Sequence, residues 1–185
     1  MARKKEYKEE EVIEKAMHLF WRNGYKNTSM QMLEKEMGIN KFSIYASFGN
    51  KQGVFLESLK CYKGQVSSMF EKFKKSSDGT ADIKQFFYDS VSDLKGSEKG
   101  CLLTNTYNEF CTNEDQLVKF QLVSFMDNLK DLFIEKLSMN TSKDEDTILR
   151  QANFLLLAKH GLAAAARVNT PQEIEDYIEI TFQNI

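Results

Sequence analysis

The stretch that leaves this chain least freedom is residues 28–51, TSMQMLEKEMGINKFSIYASFGNK. Met32, Leu33 and Met37 fall at helical spacing, and Gly38 follows where a helix stops by entering the left-handed backbone region that glycine adopts without steric cost. Ile39 then turns inward. Asn40 is placed to cap a second helix by accepting a hydrogen bond from one of its free N–H groups. That helix, residues 40–48, sets Ile44 and Phe48 on one face and leaves Lys41, Phe42, Ser43, Tyr45 and Ser47 for the outside or the flanks. So short a helix is marginal alone in water, so neighbours must hold it, and its outer side is free to touch something else.

The supporting elements are readable on both sides. Residues 9–23 carry Val12, Ile13, Ala16, Met17, Phe20 and Trp21 as an apolar stripe, with Glu9, Glu10 and Glu11 at the positive end of the helix dipole and Gly24 closing it. Val54, Phe55, Leu59, Tyr62, Val66, Met69, Phe70 and Phe73 predict one long helix over 50–74, a rod shared by two bodies and suited to act as a lever. Further helices are expected over 81–94, 102–111, 114–137, 144–167 and 171–184, about nine in all. No segment alternates with period two, and one proline and nine glycines are too few for an all-β chain. The fold class expected is therefore all-α.

From Val12 to Leu59 the residues Met17-His18-Leu19-Phe20, Gly24-Tyr25, Thr28-Ser29, Gly38-Ile39-Asn40-Lys41, Ile44-Tyr45 and Phe48-Gly49-Asn50-Lys51 match in order and spacing a known pattern. The segment resembles the DNA-binding domain of the TetR family of bacterial transcriptional regulators. The resemblance implies a helix-turn-helix domain over residues 1–52 and a helical effector-binding and dimerisation domain over 53–185. It further implies a homodimeric repressor, released from a palindromic double-stranded DNA operator when a small-molecule inducer binds.

Chemistry assigns the DNA contacts within that frame. Residues 1–52 carry a net charge of +3 and the rest −5, a modest bias toward nucleic acid in the first segment. Lys41 suits guanine O6 or N7, or a phosphate, and Phe42 a thymine methyl. Ser43, Tyr45 and Ser47 offer hydroxyls to phosphate oxygens, and Lys51 an ammonium beside Asn50. Asn40 belongs to the same surface. Thr28 with Gln31 fits a capping box, yet the resemblance places Gln31 on a base edge and Ser29 on a phosphate; spacing leaves both readings open.

Beyond residue 59 two groups stand out. Phe70, Phe73, Phe87, Cys101, Asn105, Tyr107, Asn108, Phe120, Phe125 and Phe154 offer apolar walls with a few polar groups, as small-molecule sites require, or else simply a core. Leu155, Leu162, Ala163 and Ala166, with Ile174, Tyr177, Ile178 and Phe182 on a helix opened by Thr170-Pro171-Gln172-Glu173, read as a four-helix dimer interface or as a monomer's own core.

Cys61, Cys101 and Cys111 are an odd count, which argues against structural disulfides. Cys101, after Lys99-Gly100 near a helix start, is open to a covalent redox or electrophile signal on the same fold, or to a bland role as a small hydrophobe. His18 has no second ligand at metal spacing, no phosphate-binding glycine loop or nucleophile motif occurs, and nothing calls for a cofactor, a metal or an enzyme. No membrane span or secretory signal is evident, so a cytoplasmic location is expected. The competing class is a helical interaction module that does not bind DNA.

Overall fold

A computed structural model describes residues 7–92, 100–110, 115–139, 142–183 and 185. Among them every regular element is α-helical. α1 is Glu9–Asn23, α2 Met30–Met37, α3 Lys41–Phe48, α4 Lys51–Gln65 and α5 Ser67–Lys75; α6 is Thr80–Ser92, α7 Leu102–Phe110, α8 Gln116–Leu137, α9 Glu145–Ala165 and α10 Pro171–Thr181. Of these, no helix is long and apolar enough to cross a membrane. The predicted helix ends at 94, 111 and 114, and Cys111 itself, lie outside the described residues.

The expected rod over 50–74 is two helices. Val66 leaves the helical region at φ −88°, ψ 0°, and its N–H turns back to the carbonyls of Tyr62 and Gly64. The sequence there, Gly64-Gln65-Val66-Ser67-Ser68, combines a glycine, a β-branched residue and two serines, each a poor helix former, so the ladder breaks and restarts. The expected single rod is therefore two helices, and among the described residues there are ten helices rather than about nine.

Packing divides the chain at the same place, into one unit that runs through Val66 and a second that starts at Ser67. In the first unit α1 lies against α2 and α4. It buries Val12, Ile13, Ala16, Met17, Leu19 and Phe20 against Leu33 and Met37 of α2 and Val54, Phe55, Leu59 and Tyr62 of α4. The rings interlock: Phe20 meets Phe55 at 4.8 Å and Trp21 meets Tyr62 at 5.0 Å, both edge on. Since α4 belongs to this packing, the first unit holds four helices and extends past residue 52, where the resemblance implies the helix-turn-helix domain ends.

In the second unit one core gathers Phe73 of α5, Ile83, Phe86 and Phe87 of α6, Leu129 and Phe133 of α8, Ile148, Leu155 and Leu162 of α9, and Ile174 and Ile178 of α10. Lys136 of α8 is fully buried here. Its ammonium donates to the carbonyls of Lys74 and Ser76, lies 3.7 Å from the Asp82 carboxylate and sits over the Phe73 ring, so its charge is met on every side.

Candidate nucleic-acid interface

Three backbone turns build the site. α2 ends on Gly38 at φ 70°, ψ 22°, whose N–H returns to the Glu34 carbonyl, as the left-handed turn requires. Asn40 caps α3 by accepting from the Ser43 N–H at 2.8 Å, and Asn50 caps α4 by accepting from the Gly53 N–H at 2.9 Å. Between those helices the chain turns so tightly that a Cβ on Gly53 would stand 1.9 Å from the Phe48 carbonyl oxygen. Gly53 thus fixes how α4 approaches α3, a role that its unremarkable place in the sequence does not announce.

α3 is held to the body chiefly by Ile44, the one residue of this helix that is fully buried. Its other side is open. Phe42 is 82% exposed, too high for a core residue, and Lys41 and Tyr45 stand beside it with the lysine Nζ 5.9 Å from the tyrosine ring. Ser43 and Ser47 are half-buried, and Phe48 packs less completely than its spacing predicts. Tyr7, which spacing did not single out, explains part of this: its hydroxyl lies 2.9 Å from Ser47 Oγ and donates toward the Ser43 carbonyl at 3.4 Å, tying the start of the chain to α3.

Several surroundings differ from expectation. The Lys41 backbone N–H donates to Glu34 Oε1 at 2.9 Å, an acidic neighbour that spacing does not bring out. Thr28 is no cap: it is buried, and its hydroxyl donates to the Gly24 carbonyl at 2.7 Å. Ser29 caps α2 instead, accepting from the Met32 N–H at 3.2 Å. That shift by one residue takes Gln31 off the capping position and leaves it exposed on the surface of α2, so the box reading falls. Lys51 is not a loose ammonium. It donates to the carbonyls of Tyr25 at 3.0 Å and Thr28 at 2.9 Å and lies 4.3 Å over the Tyr25 ring, clipping the α1–α2 connection to the start of α4.

The residues expected to line a pocket scatter. Phe73 and Phe87 fill the core, whereas Tyr107, Asn108, Phe120 and Phe154 face outward. Phe70, Cys101, Asn105 and Phe125 are half-buried and remain candidates. The expected dimer face needs a larger correction: Leu155, Leu162, Ala163, Ile174 and Ile178 are buried in the chain's own core, while Ala166 and Phe182 are partly covered. The open side of α9 carries Phe154, Leu157, Gly161 and Ala164 at steps of three and four, with Val168 just beyond and Tyr177 and Ile180 on α10. Among the described residues no cluster of His, Cys, Asp or Glu could hold a metal ion.

Comparison with known proteins agrees with this architecture. CifR, a TetR family transcriptional regulator solved as a cysteine mutant with 26-bp double-strand operator DNA, superposes with a TM-score of 0.85 at 23% identity, covering 98% of this chain and 99% of that one. The uncharacterized HTH-type transcriptional regulator YezE of Bacillus subtilis is 26% identical over 98% of this chain and 97% of its own length. IcaR, the HTH-type negative transcriptional regulator of the biofilm operon icaADBC in Staphylococcus aureus, is 26% identical over 56% of this chain and 58% of its own. Residues 12–58, which hold most of α1 and all of the turn around Gly38, match the family model of bacterial regulatory proteins, tetR family. With α2 and α3 paired about that turn and the match running across them, residues 12–58 form a helix-turn-helix segment of the kind found in bacterial regulatory proteins of the tetR family.

Proposed function

We propose that this regulator acts as a homodimeric repressor, each copy laying α3 in a major groove of a palindromic operator until a small-molecule inducer in the helical unit releases it. The observation that carries the reading is the outward face of α3: a helix buried through Ile44 presents Lys41, Phe42 and Tyr45 to solvent. Large exposed apolar groups beside a lysine suit a groove that offers thymine methyls and guanine acceptors together. Gln31 on α2 joins them, and Ser29, Asn40, Ser43, Ser47 and Lys51 shape the rim that meets phosphates. IcaR is named as a negative regulator and CifR was solved on operator DNA, and both lend weight to the same role here.

A second copy is needed because two recognition helices must meet successive grooves roughly 34–36 Å apart. The stripe of Phe154, Leu157, Gly161 and Ala164 is the surface that would pair, its small residues allowing close approach.

Selection of bound fragments from random duplex DNA tests the proposal. Wild type should enrich a palindrome, with affinity falling steeply as salt rises because neutralised phosphates release counterions. Lys41→Ala should lose about 1–3 kcal/mol at one base-pair position if it reads a base, and less, evenly across sequences, if it meets only phosphate. No enrichment at low salt would leave the chain a helical interaction module.

A second reading of the effector step has one observation in its favour. Cys101 is half-buried just before α7, where a covalent redox or electrophile signal can reach it. Mass spectrometry after treatment with an alkylating agent, set beside operator release by wild type and Cys101→Ser, tests it.

A further inference from the structure

Lys159 sits half-buried beside the Phe86 ring in the second unit, and its situation differs from that of the fully buried Lys136. Lys136 is answered by two carbonyls and Asp82. Lys159, half-buried on α9, has its Nζ 5.9 Å from the centre of the Phe86 ring, and among the described residues no carboxylate lies within ion-pair distance of it. Burial pushes its pKa below the ordinary lysine value, with the Cys101 thiol acting in the opposite direction. A cation withdrawn from water without a counter-charge is costly, and a protein keeps one where something else supplies the charge.

The neighbours form a chain of contacts. From Lys159 the contact passes to Phe86 of α6, from Phe86 to Phe70 of α5 at 5.2 Å, and from Phe70 to Phe125 of α8 at 5.2 Å. Met126 follows Phe125 in the chain, and its sulfur lies 2.9 Å from His160 Nε2, which returns the path to α9 next to Lys159. Burial first, and then the charge of Lys159, push the His160 pKa down, so that imidazole is neutral at pH 7 and adds no second positive charge. One ammonium beside aromatic rings fits a single negative charge on an apolar body. An inorganic dianion would find too few donors there, and an organic cation would be repelled.

We propose that Lys159, beside Phe86 and the Phe70 and Phe125 rings that continue from it, binds small organic monoanions, the carboxylate seated on the ammonium and an aromatic or alkyl body laid against the rings. This names the class of effector for the inducer step above and rests on that reading only for its consequence at the operator; binding itself is measured without DNA. The probes are 3-phenylpropanoate, 4-phenylbutanoate and indole-3-acetate, each beside its primary amide, by isothermal titration calorimetry and thermal shift on the full chain.

The acids should bind and raise the melting temperature, the amides should bind roughly tenfold more weakly or worse, Lys159→Met should lose the acid preference, and Lys159→Arg should retain it. Failure of all three acids to bind, equal binding by the amides, or an undiminished preference in a folded Lys159→Met overturns the proposal. Should Lys159→Met not fold, the acid-amide comparison on wild type and Lys159→Arg decides. Acid binding without any selected duplex would sink the repressor reading alone; a selected duplex without acid binding would sink this inference alone.

Discussion

At Gly53 a single absent Cβ sets the angle between α3 and α4. Alanine there would place a methyl carbon 1.9 Å from the Phe48 carbonyl, so the α3–α4 turn must open. Gly53→Ala should cost about 1–3 kcal/mol despite alanine's better helix propensity. Gly64→Ala, in the same helix with nothing within 4 Å of the added carbon, should instead gain up to about 1 kcal/mol. Urea denaturation followed by Trp21 fluorescence reads both, since the indole packs on Tyr62 within the first unit. Lys51 gives a sharper contrast. If it served only to meet phosphate, Lys51→Met would leave the DNA-free protein unchanged. Because its ammonium holds two loop carbonyls, the same change should lower first-unit stability by about 1–3 kcal/mol in the absence of DNA, measurable in the same assay. Asn40 and Gly38 were legible in sequence because capping and left-handed turns are local chemistry. Gly53 and Lys51 were not, since each role depends on an atom that the fold brings from elsewhere.

Among the elements, α1 follows its predicted bounds, Glu9 to Asn23, because acidic residues, a clean stripe and a closing glycine all agree. α9 shows where periodicity stops informing. Asp146, Arg150 and Asn153 mark a polar face in its first half, but from Phe154 onward the residues are mostly apolar on every side, so there the sequence does little to set Leu155 and Leu162 apart from Leu157 as candidates for an outer surface. Only packing against α6, α8 and α10 distinguishes them. The α6–α10 pairing also fixes a pH response. Tyr88 donates to Glu179 Oε1 at 2.6 Å while Lys84 donates to Oε2 at 2.7 Å, gathering two residues of α6 on one carboxylate of α10. Burial first, and the Glu179 hydrogen bond second, push the Tyr88 pKa from 10.0 up to about 12. A raised folded-state pKa means the native protein holds this proton longer than the unfolded chain. The contribution is whole below pH 10 and disappears as pH climbs through about 12. Alkaline melts of wild type and Tyr88→Phe should therefore converge across that interval, and absorbance near 295 nm should show one more late-appearing tyrosinate in wild type than in Tyr88→Phe, since Tyr177 is also pushed up by burial in both.

For the whole molecule, the inner and outer faces of α9 make opposite demands that a pair of substitutions can separate. Leu157 is 73% exposed and Val168 86%, on a stripe whose small residues Gly161 and Ala164 leave room for another helix. A charge on that stripe touches nothing in the chain's own core but cannot be matched across a two-fold, where it would meet its own copy. Leu157→Arg should leave the melting temperature of the isolated chain nearly unchanged yet sediment at the 21.4 kDa of one copy. On a selected palindrome it should bind half-sites independently. Leu162→Ala should do the reverse, losing about 2–5 kcal/mol of stability through a cavity in the core while still sedimenting as a pair. A Leu157→Arg protein that remains dimeric would move the pairing surface off α9 altogether. The exposed Leu117 and Phe120 on α8 would then be the next apolar positions to charge.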